Sequence, residues 1–250
     1  AKEMLSQLEK EEADWDVAFG VSVDALEEGK EYWQPYKDTW TGYSAISFVV
    51  LYNTNVVTYR ELPTGWDSLL EPRWKGRVAV PDPLKSDMAA SVLTEAAKNS
   101  EKEEFLDLLA ENMQYQMPET FKEVEQGISD GRYSIGVTSE EAAKAMLAAG
   151  QDVDYIDPEE GECFFEDGTA IRKRTPNLDA SEAFVTYTTC DDTKWLLRTQ
   201  LLRQPAEDVA AENDRSDEDL KQRYSRQQEV LNIWKLIMEE KSGSAHEQEQ

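Results

Sequence analysis

The side chains able to do covalent or acid–base chemistry are few and badly spaced for it. The only histidine, His246, sits in a polar terminal stretch. A nucleophile–histidine unit needs the two groups within hydrogen-bond reach, with the imidazole oriented by a third group, and such a stretch offers no scaffold for that. Cys163 and Cys190 are far from C-x-x-C spacing, and no zinc-type Cys/His spacing, P-loop, G-x-G-x-x-G or H-E-x-x-H run occurs. The two cysteines either pair in an exported protein or remain as partly buried thiols. Adjacent carboxylates such as Glu159 and Glu160 have the right type for acid–base work. Among 52 acidic residues, though, such pairs arise by chance and are ordinarily solvated. No catalytic residue, metal site or cofactor is assigned.

What remains is serine at helix starts. A short apolar strand, Arg77 to Val80, stops at Pro81-Asp82-Pro83, and Ser86 follows in position to cap a helix over Met88 to Ala97. Ahead of it lie a loop-helix signal, Leu62 to Leu70, and a basic, aromatic turn, Glu71 to Gly76. A strand feeding a helix N-terminus leaves backbone N–H groups at a strand's C-terminal edge, which suits an anion. Ser139, followed by Glu140 and Glu141, is a second start signal after the strand Tyr133 to Thr138, with a helix through Leu147. Ser22 is a third, between the strand Trp15 to Phe19 and a helix over Ala25 to Gly29. Lys85 is the one cation adjacent to the Ser86 loop.

The remaining elements alternate in the manner of an α/β chain. Residues 2–11 read as an amphipathic helix, and Ile46 to Tyr52 as an apolar strand. Helical spacing recurs over Ala89 to Asn99, Glu103 to Asn112 and Phe121 to Ile128. A strand begins near Gly150 and ends in a Pro/Gly loop by Gly161. Gly168 to Arg172 is a further strand, followed by a helix burying Ala183, Phe184 and Tyr187. After a polar run, Ala210 to Asp219, the last helix spans Tyr224 to Met238, with Val230, Ile233, Trp234 and Ile237 on one face.

The run from Tyr52 to Ser91, YNTN…LPTGWDSLLEPRWKGRVAVPDPLKSDMAAS, resembles the extracellular solute-binding proteins of ABC importers, in the branch for phosphonates, phosphoglycerate, sugar phosphates or ferric iron. Asp87 and Met88 stand where that pattern commonly has Gly and Thr. Residues 16–26, 131–142, 153–161 and 170–184 are similar to further motifs of the same family. The resemblance implies a type II periplasmic-binding-protein-like fold of two α/β lobes, with a hinge and an interlobe ligand cleft. Lobe 1 is expected over 1–45 and 157–204, with its first strand and helix absent, and lobe 2 over 46–156. C-terminal helices follow over 205–240, then a disordered tail over 241–250. The family's N-terminal strand, helix and signal peptide are read as missing ahead of Ala1.

The same resemblance implies that Ser22, as well as capping its helix, lines the cleft, opposite Thr138 and Ser139. Trp40 and Tyr43 either wall the cleft or cover a core edge. Glu140 receives an amine or cation, or simply favours the helix dipole. With Ser86 and Asp87, these are the expected ligand contacts. The implied role is a solute-binding component that delivers its ligand to ABC permease subunits. It would be periplasmic or extracellular, at the cell surface if a lipoprotein, and a monomer. Two ligand readings and one further function class compete. Serine-lined helix starts favour a phosphorylated or phosphonate organic anion. Ferric iron or another cation is the alternative, although the adjacent tyrosines typical of the family's iron binders are missing. A ligand-sensing lobe of a signalling system is another.

A formal charge of −26 repels nucleic acid and anionic membranes, and no apolar run approaches a membrane span. That charge also opposes an anionic ligand, though local backbone dipoles can outweigh a screened global field.

Overall fold

The computed structural model describes residues 1–210 and 217–247. The chain opens with helix α1 (Lys2–Glu9), strand β1 (Val17–Ser22) and helix α2 (Val23–Glu28), followed by strands β2 (Trp33–Gln34) and β3 (Thr41–Asn53). Next come strand β4 (Val78–Ala79) and helices α3 (Asp87–Asn99), α4 (Phe105–Asn112) and α5 (Phe121–Ser129). Strand β5 (Ile135–Ser139), helix α6 (Glu140–Ala148) and strands β6 (Val153–Ile156) and β7 (Cys163–Arg172) follow. The remainder is helices α7 (Leu178–Thr188) and α8 (Asp191–Leu196), strand β8 (Gln204–Pro205), and helices α9 (Ala206–Ala210) and α10 (Asp217–Glu247). A single π-helical turn, Leu197–Leu201, extends α8.

The chain divides into two compact units, 1–46 with 165–226 and 47–164 with 227–250. Strands β3 and β7 each begin in one unit and end in the other. The return falls within β7 rather than at the expected position 157. The intervening loop is held in the second unit, where Glu159 N bonds Thr64 O at 3.0 Å and Trp66 Nε1 bonds Gly161 O at 2.9 Å.

In the first unit β1 and β2 pair antiparallel with β7, and β8 pairs with β3 at Ser44 and Ala45. Its core gathers Leu8, Ala18, Leu26, Trp33 and Ala170, with Trp15 and Trp40 packed against it. Trp33 is fully buried, and its Nε1 finds Leu26 O at 2.7 Å, so the ring fills the core without stranding a donor.

In the second unit β3 pairs antiparallel with both β5 and β6, while β4 lies parallel to β5. Val49, Leu51, Ala79, Val124, Ile128 and Ala143 form its core. Gly136 is required there, because an added Cβ would come within 2.4 Å of Ala79 O.

Two helix faces differ from expectation. On α7 the buried stripe is Ser181, Val185 and Thr188, whereas Ala183, Phe184 and Tyr187 face outward. The i, i+4, i+7 stripe of small side chains lets the helix approach closely, and Phe184 instead meets Phe19 edge-on. On α10 Val230 and Trp234 are buried, but Ile233, at the edge of that stripe, is 46% exposed. The polar run's residues 211–216 lie outside the described residues. The helix reaches Glu247, so the tail expected from 241 is helical to that point, and 248–250 also lie outside the described residues. The side chain of His246 is likewise outside them. Among the described residues no helix is long and apolar enough to cross a membrane.

Candidate functional site

Two parallel strand ends dominate the second unit. β4 and β5 lie side by side, Val78 opposite Ile135 and Ala79 opposite Gly136, so both open on the same sheet edge. Each feeds a helix there: α3 after the Pro81–Pro83 turn, and α6 directly. Ser86 Oγ accepts from Ala89 N, and Ser139 Oγ from Ala142 N, each at 3.3 Å. With 13 and 9 residues, both helices are long enough to present a positive N-terminal dipole. Such an edge, with such termini, is where open α/β sheets take anions.

Acidic side chains share those turns. Asp87 is exposed at the first position of α3, and its carbonyl accepts from Gln227 Nε2 at 3.2 Å. Glu140, the first residue of α6, pairs with Lys144 Nζ at 2.7 Å and accepts from Ser47 Oγ at 3.2 Å. The bond to Glu140 raises the Lys144 pKa. Burial, then the charge of Glu140, raises that of the Tyr155 hydroxyl. Lys85 is ion-paired with Glu119, whose hydrogen bond raises its pKa. Thr138 is fully buried and donates to Glu125 Oε1 at 2.7 Å. Burial still pushes the Glu125 carboxyl above the ordinary range.

A polar row crosses the first unit. Ser22 stands opposite Asp167 in the β1–β7 pair, so their side chains leave the same face. Ser44 Oγ donates to Asp167 Oδ2 at 3.0 Å, and Arg203 Nη1 donates to the same oxygen at 3.3 Å. Ser22, Ser44 and Asp167 are buried. Beside the row, Tyr43 stacks on Phe19 with ring centroids 4.8 Å apart. Burial first, then the charge of Asp167, lifts the Tyr43 hydroxyl above the ordinary phenol range, which keeps it a neutral donor. Ser22 also caps α2, accepting from Ala25 N at 3.3 Å, but that helix has only six residues. Trp40 takes no part: its Nε1 donates to Glu27 Oε2 at 2.9 Å and its ring covers the core.

A separate cavity of about 510 Å³ opens in this unit beside α1. Arg172, Lys173 and Arg174 line it against Glu9, Glu11 and Glu31, a balance that selects no single ligand charge. None of the expected contacts borders it.

A family model for bacterial extracellular solute-binding proteins matches residues 20–228. The chain belongs to that family. No curated protein matches its sequence. Among solved structures it is similar to the periplasmic binding protein AfuA from Actinobacillus pleuropneumoniae, which has exogenous fructose-6-phosphate bound. The TM-score is 0.76 at 16% identity, over 95% of this chain and 87% of that one. It is also similar to the ferric binding protein from Campylobacter jejuni, with TM-score 0.75 at 14% identity over 94% and 88% of the two chains. The substrate binding protein of an ABC transporter from Agrobacterium tumefaciens gives TM-score 0.77 at 12% identity over 95% and 82%. At these identities the likeness establishes the fold, which is that of the type II periplasmic binding proteins.

Within this solute-binding protein, Ser86 and Asp87 start α3 and Ser139 and Glu140 start α6, helices fed by adjacent strands, while Ser22 and Tyr43 flank the row at Asp167. Thr138 and Trp40 are committed to Glu125 and Glu27. Sequence reasoning missed Ser44, Asp167 and Arg203. Their one signal is an acidic residue inside an apolar strand, since a buried charge demands a partner. Neither cysteine is in a disulfide. Among the described residues no group of three or more His, Cys, Asp or Glu side chains is arranged to hold a metal ion.

Proposed function

We propose that this solute-binding protein serves an ABC importer, capturing a small phosphorylated or phosphonate organic anion and delivering it to the permease subunits. It acts by binding rather than catalysis, in the periplasm or at the cell surface. The observation that carries the reading is the pair of serine-capped helix starts, Ser86 on α3 and Ser139 on α6, fed by adjacent parallel strands. Their N–H groups and dipoles offer an anion fixed donors that need no cationic side chain. Ser22 and Tyr43 are further proposed ligand contacts. The hinged closure that the fold implies then selects the form the permease recognises.

A cation is the second reading, favoured by the carboxylates of Asp87 and Glu140 in the same two turns and by the ferric ion named for one structural relative.

A thermal-shift screen of the full chain separates the two. The probes are a phosphoglycerate, fructose-6-phosphate, aminoethylphosphonate, inorganic phosphate and ferric citrate. Ligand at about 100 times its Kd adds roughly 2.7 kcal/mol. Ser86→Asp preserves the cap while setting a negative charge where the anion would lie. The expected result is a shift with a phosphorylated or phosphonate probe that Ser86→Asp abolishes. A shift with ferric citrate alone, or with nothing, overturns the anion reading.

A further inference from the structure

We infer that the cavity beside α1 is a second binding site, within the first unit, for a small zwitterion carrying a carboxylate and an ammonium group. The inference does not rest on the anion reading and uses none of its residues. At about 510 Å³, the cavity is of ligand size, since small-molecule sites run from about 300 to 1,000 Å³.

Backbone contacts fix its walls. Arg172 ends β7, and its N–H donates to Asp16 O at 2.9 Å, while Lys173 N donates to Tyr32 O at 2.9 Å. Arg172 also pairs with Trp33. The end of β7 is thus tied to the residues before β1 and to those before β2. Two further wall residues, Glu11 after α1 and Arg174 after β7, have left-handed φ values of 55° and 62°, uncommon for residues other than glycine. In the β1–β7 pair Ser22 lies opposite Asp167 and Val17 opposite Ile171. Arg172 therefore stands at the other end of that pair from the Asp167 row, roughly 17 Å along the strand.

Charges of both signs line the cavity without meeting. The Arg172 guanidinium is held through Nε, which donates to Trp15 O. The other four of its five N–H donors lie in the same plane. They have no hydrogen bond or ion pair among the described residues. Asp16 is near enough to feel the charge, but its carboxylate accepts from Thr175 Oγ1 and Asn177 Nδ2. Lys173 Nζ reaches the Glu31 carbonyl. Glu9 and Glu31 have no ion pair among the described residues either. Both act on the Tyr32 hydroxyl, whose pKa is raised by burial first and then by the charges of Glu31 and Glu9. The two carboxylates converge on that phenol. Arg174 and Glu11 pair at 3.5 Å, with side chains 86% and 81% exposed, and so form a weak rim contact.

One cavity thus holds an acidic pole at Tyr32 and a basic pole at Arg172, with no ion pair between them. A ligand carboxylate can take the open guanidinium fork side-on, and its ammonium can sit between Glu9 and Glu31. An anion or a cation alone gains at one pole and is repelled at the other. Only a dipolar solute gains at both.

Titration calorimetry on the full chain tests this with glycine, L-glutamine and L-phenylalanine. Butyrate and butylammonium serve as probes of one charge each. The variants are Arg172→Gln and the double Glu9→Gln/Glu31→Gln. Arg198→Gln is the control, because Arg198 closes its fork on Asp208 at the surface. One charge-assisted contact corresponds to roughly a 10- to 100-fold change in affinity. At least one of the amino acids is expected to bind, and to weaken by that factor in Arg172→Gln and in the double variant. Arg198→Gln leaves Kd unchanged, and the single-charge probes bind the wild type more weakly by a similar factor. Should Arg172→Gln fail to fold by circular dichroism, the double variant carries the test, since both of its residues are exposed. Three results overturn the inference: no amino acid binds, the folded variants keep wild-type affinity, or a single-charge probe binds as tightly as the amino acids. The anion reading survives all three. Its phosphorylated probes should keep their affinity in Arg172→Gln; a loss there would make the cavity an anion site and overturn the zwitterion assignment.

Discussion

Glu160 Oε2 accepts a hydrogen bond from the backbone N–H of Trp66 at 3.0 Å, and its second oxygen accepts from Asp67 N at 2.9 Å. A carboxylate that sequence reading leaves solvated is thus the acceptor for a 3-10 helical turn, Trp66–Leu70. Removing it strands two donors, so Glu160→Ala is expected to cost about 1–3 kcal/mol. Gly65 makes the approach possible: a Cβ there would stand 1.6 Å from Glu160 Oε2. Gly65→Ala should therefore destabilise by expelling the carboxylate. Urea unfolding of the single and double variants should show a double-variant loss well below the sum. Strict additivity would contradict this account.

The raised pKa of Glu125 gives a pH signature. Burial is the largest cause, opposed by the Thr138 hydrogen bond and reinforced by the charge of Glu141. A carboxyl whose folded pKa lies above its unfolded value favours folding while protonated. Its contribution is full below about 4.5 and is lost as pH rises through the folded value. Relative to Glu125→Gln, which does not titrate, the wild type should lose stability across that interval. Thermal melts of both proteins from acid to neutral pH measure the difference, and parallel curves would refute it.

The two serine caps should report separately on stability and on binding. Ser139→Ala and Ser86→Ala each leave a helix-start N–H without its acceptor and should cost about 0.5–2 kcal/mol. Ser139→Asp should stay within a few tenths of a kcal/mol of wild type, because aspartate caps as well as serine. Chemical denaturation reads these values. An aspartate variant as unstable as the alanine one would mean that the serine does something besides capping.

The two thiols should differ in reactivity. Cys163 is buried, and burial raises its pKa, so little thiolate forms. Cys190 is partly exposed, and hydrogen bonding to Thr193 lowers its pKa. Native alkylation followed by mass spectrometry should modify Cys190 first, and Cys163 only after denaturant is added. Equal native rates would oppose the burial described for Cys163.

Much of the fold could be read from local signals. Ser139 with Glu140 and Glu141 marks α6, Ser86 marks α3, and the motifs that resembled solute-binding proteins carried the family and its two-lobed topology. The misses are non-local. Asp167 and Ser44 meet across 123 positions, and nothing in either neighbourhood points to the other. The outward turn of Phe184 fails for a related reason. Helical periodicity gives the stripe, but close packing decides that small residues rather than aromatic ones face in.

Strand β1 closes on a partner made much later. Thr169 Oγ1 bonds Ala18 O across 151 positions, and every β1–β7 pair spans a comparable distance. The intervening 47–164 is one continuous stretch of the second unit. During synthesis that stretch has its own strands and helices available while β1 still waits for β7. Loop-closure entropy and high contact order then slow the first unit in refolding as well. Its early half emerges first but waits for a partner strand made about 150 positions later, so Trp15, Trp33 and Trp40 should report a slow fluorescence phase.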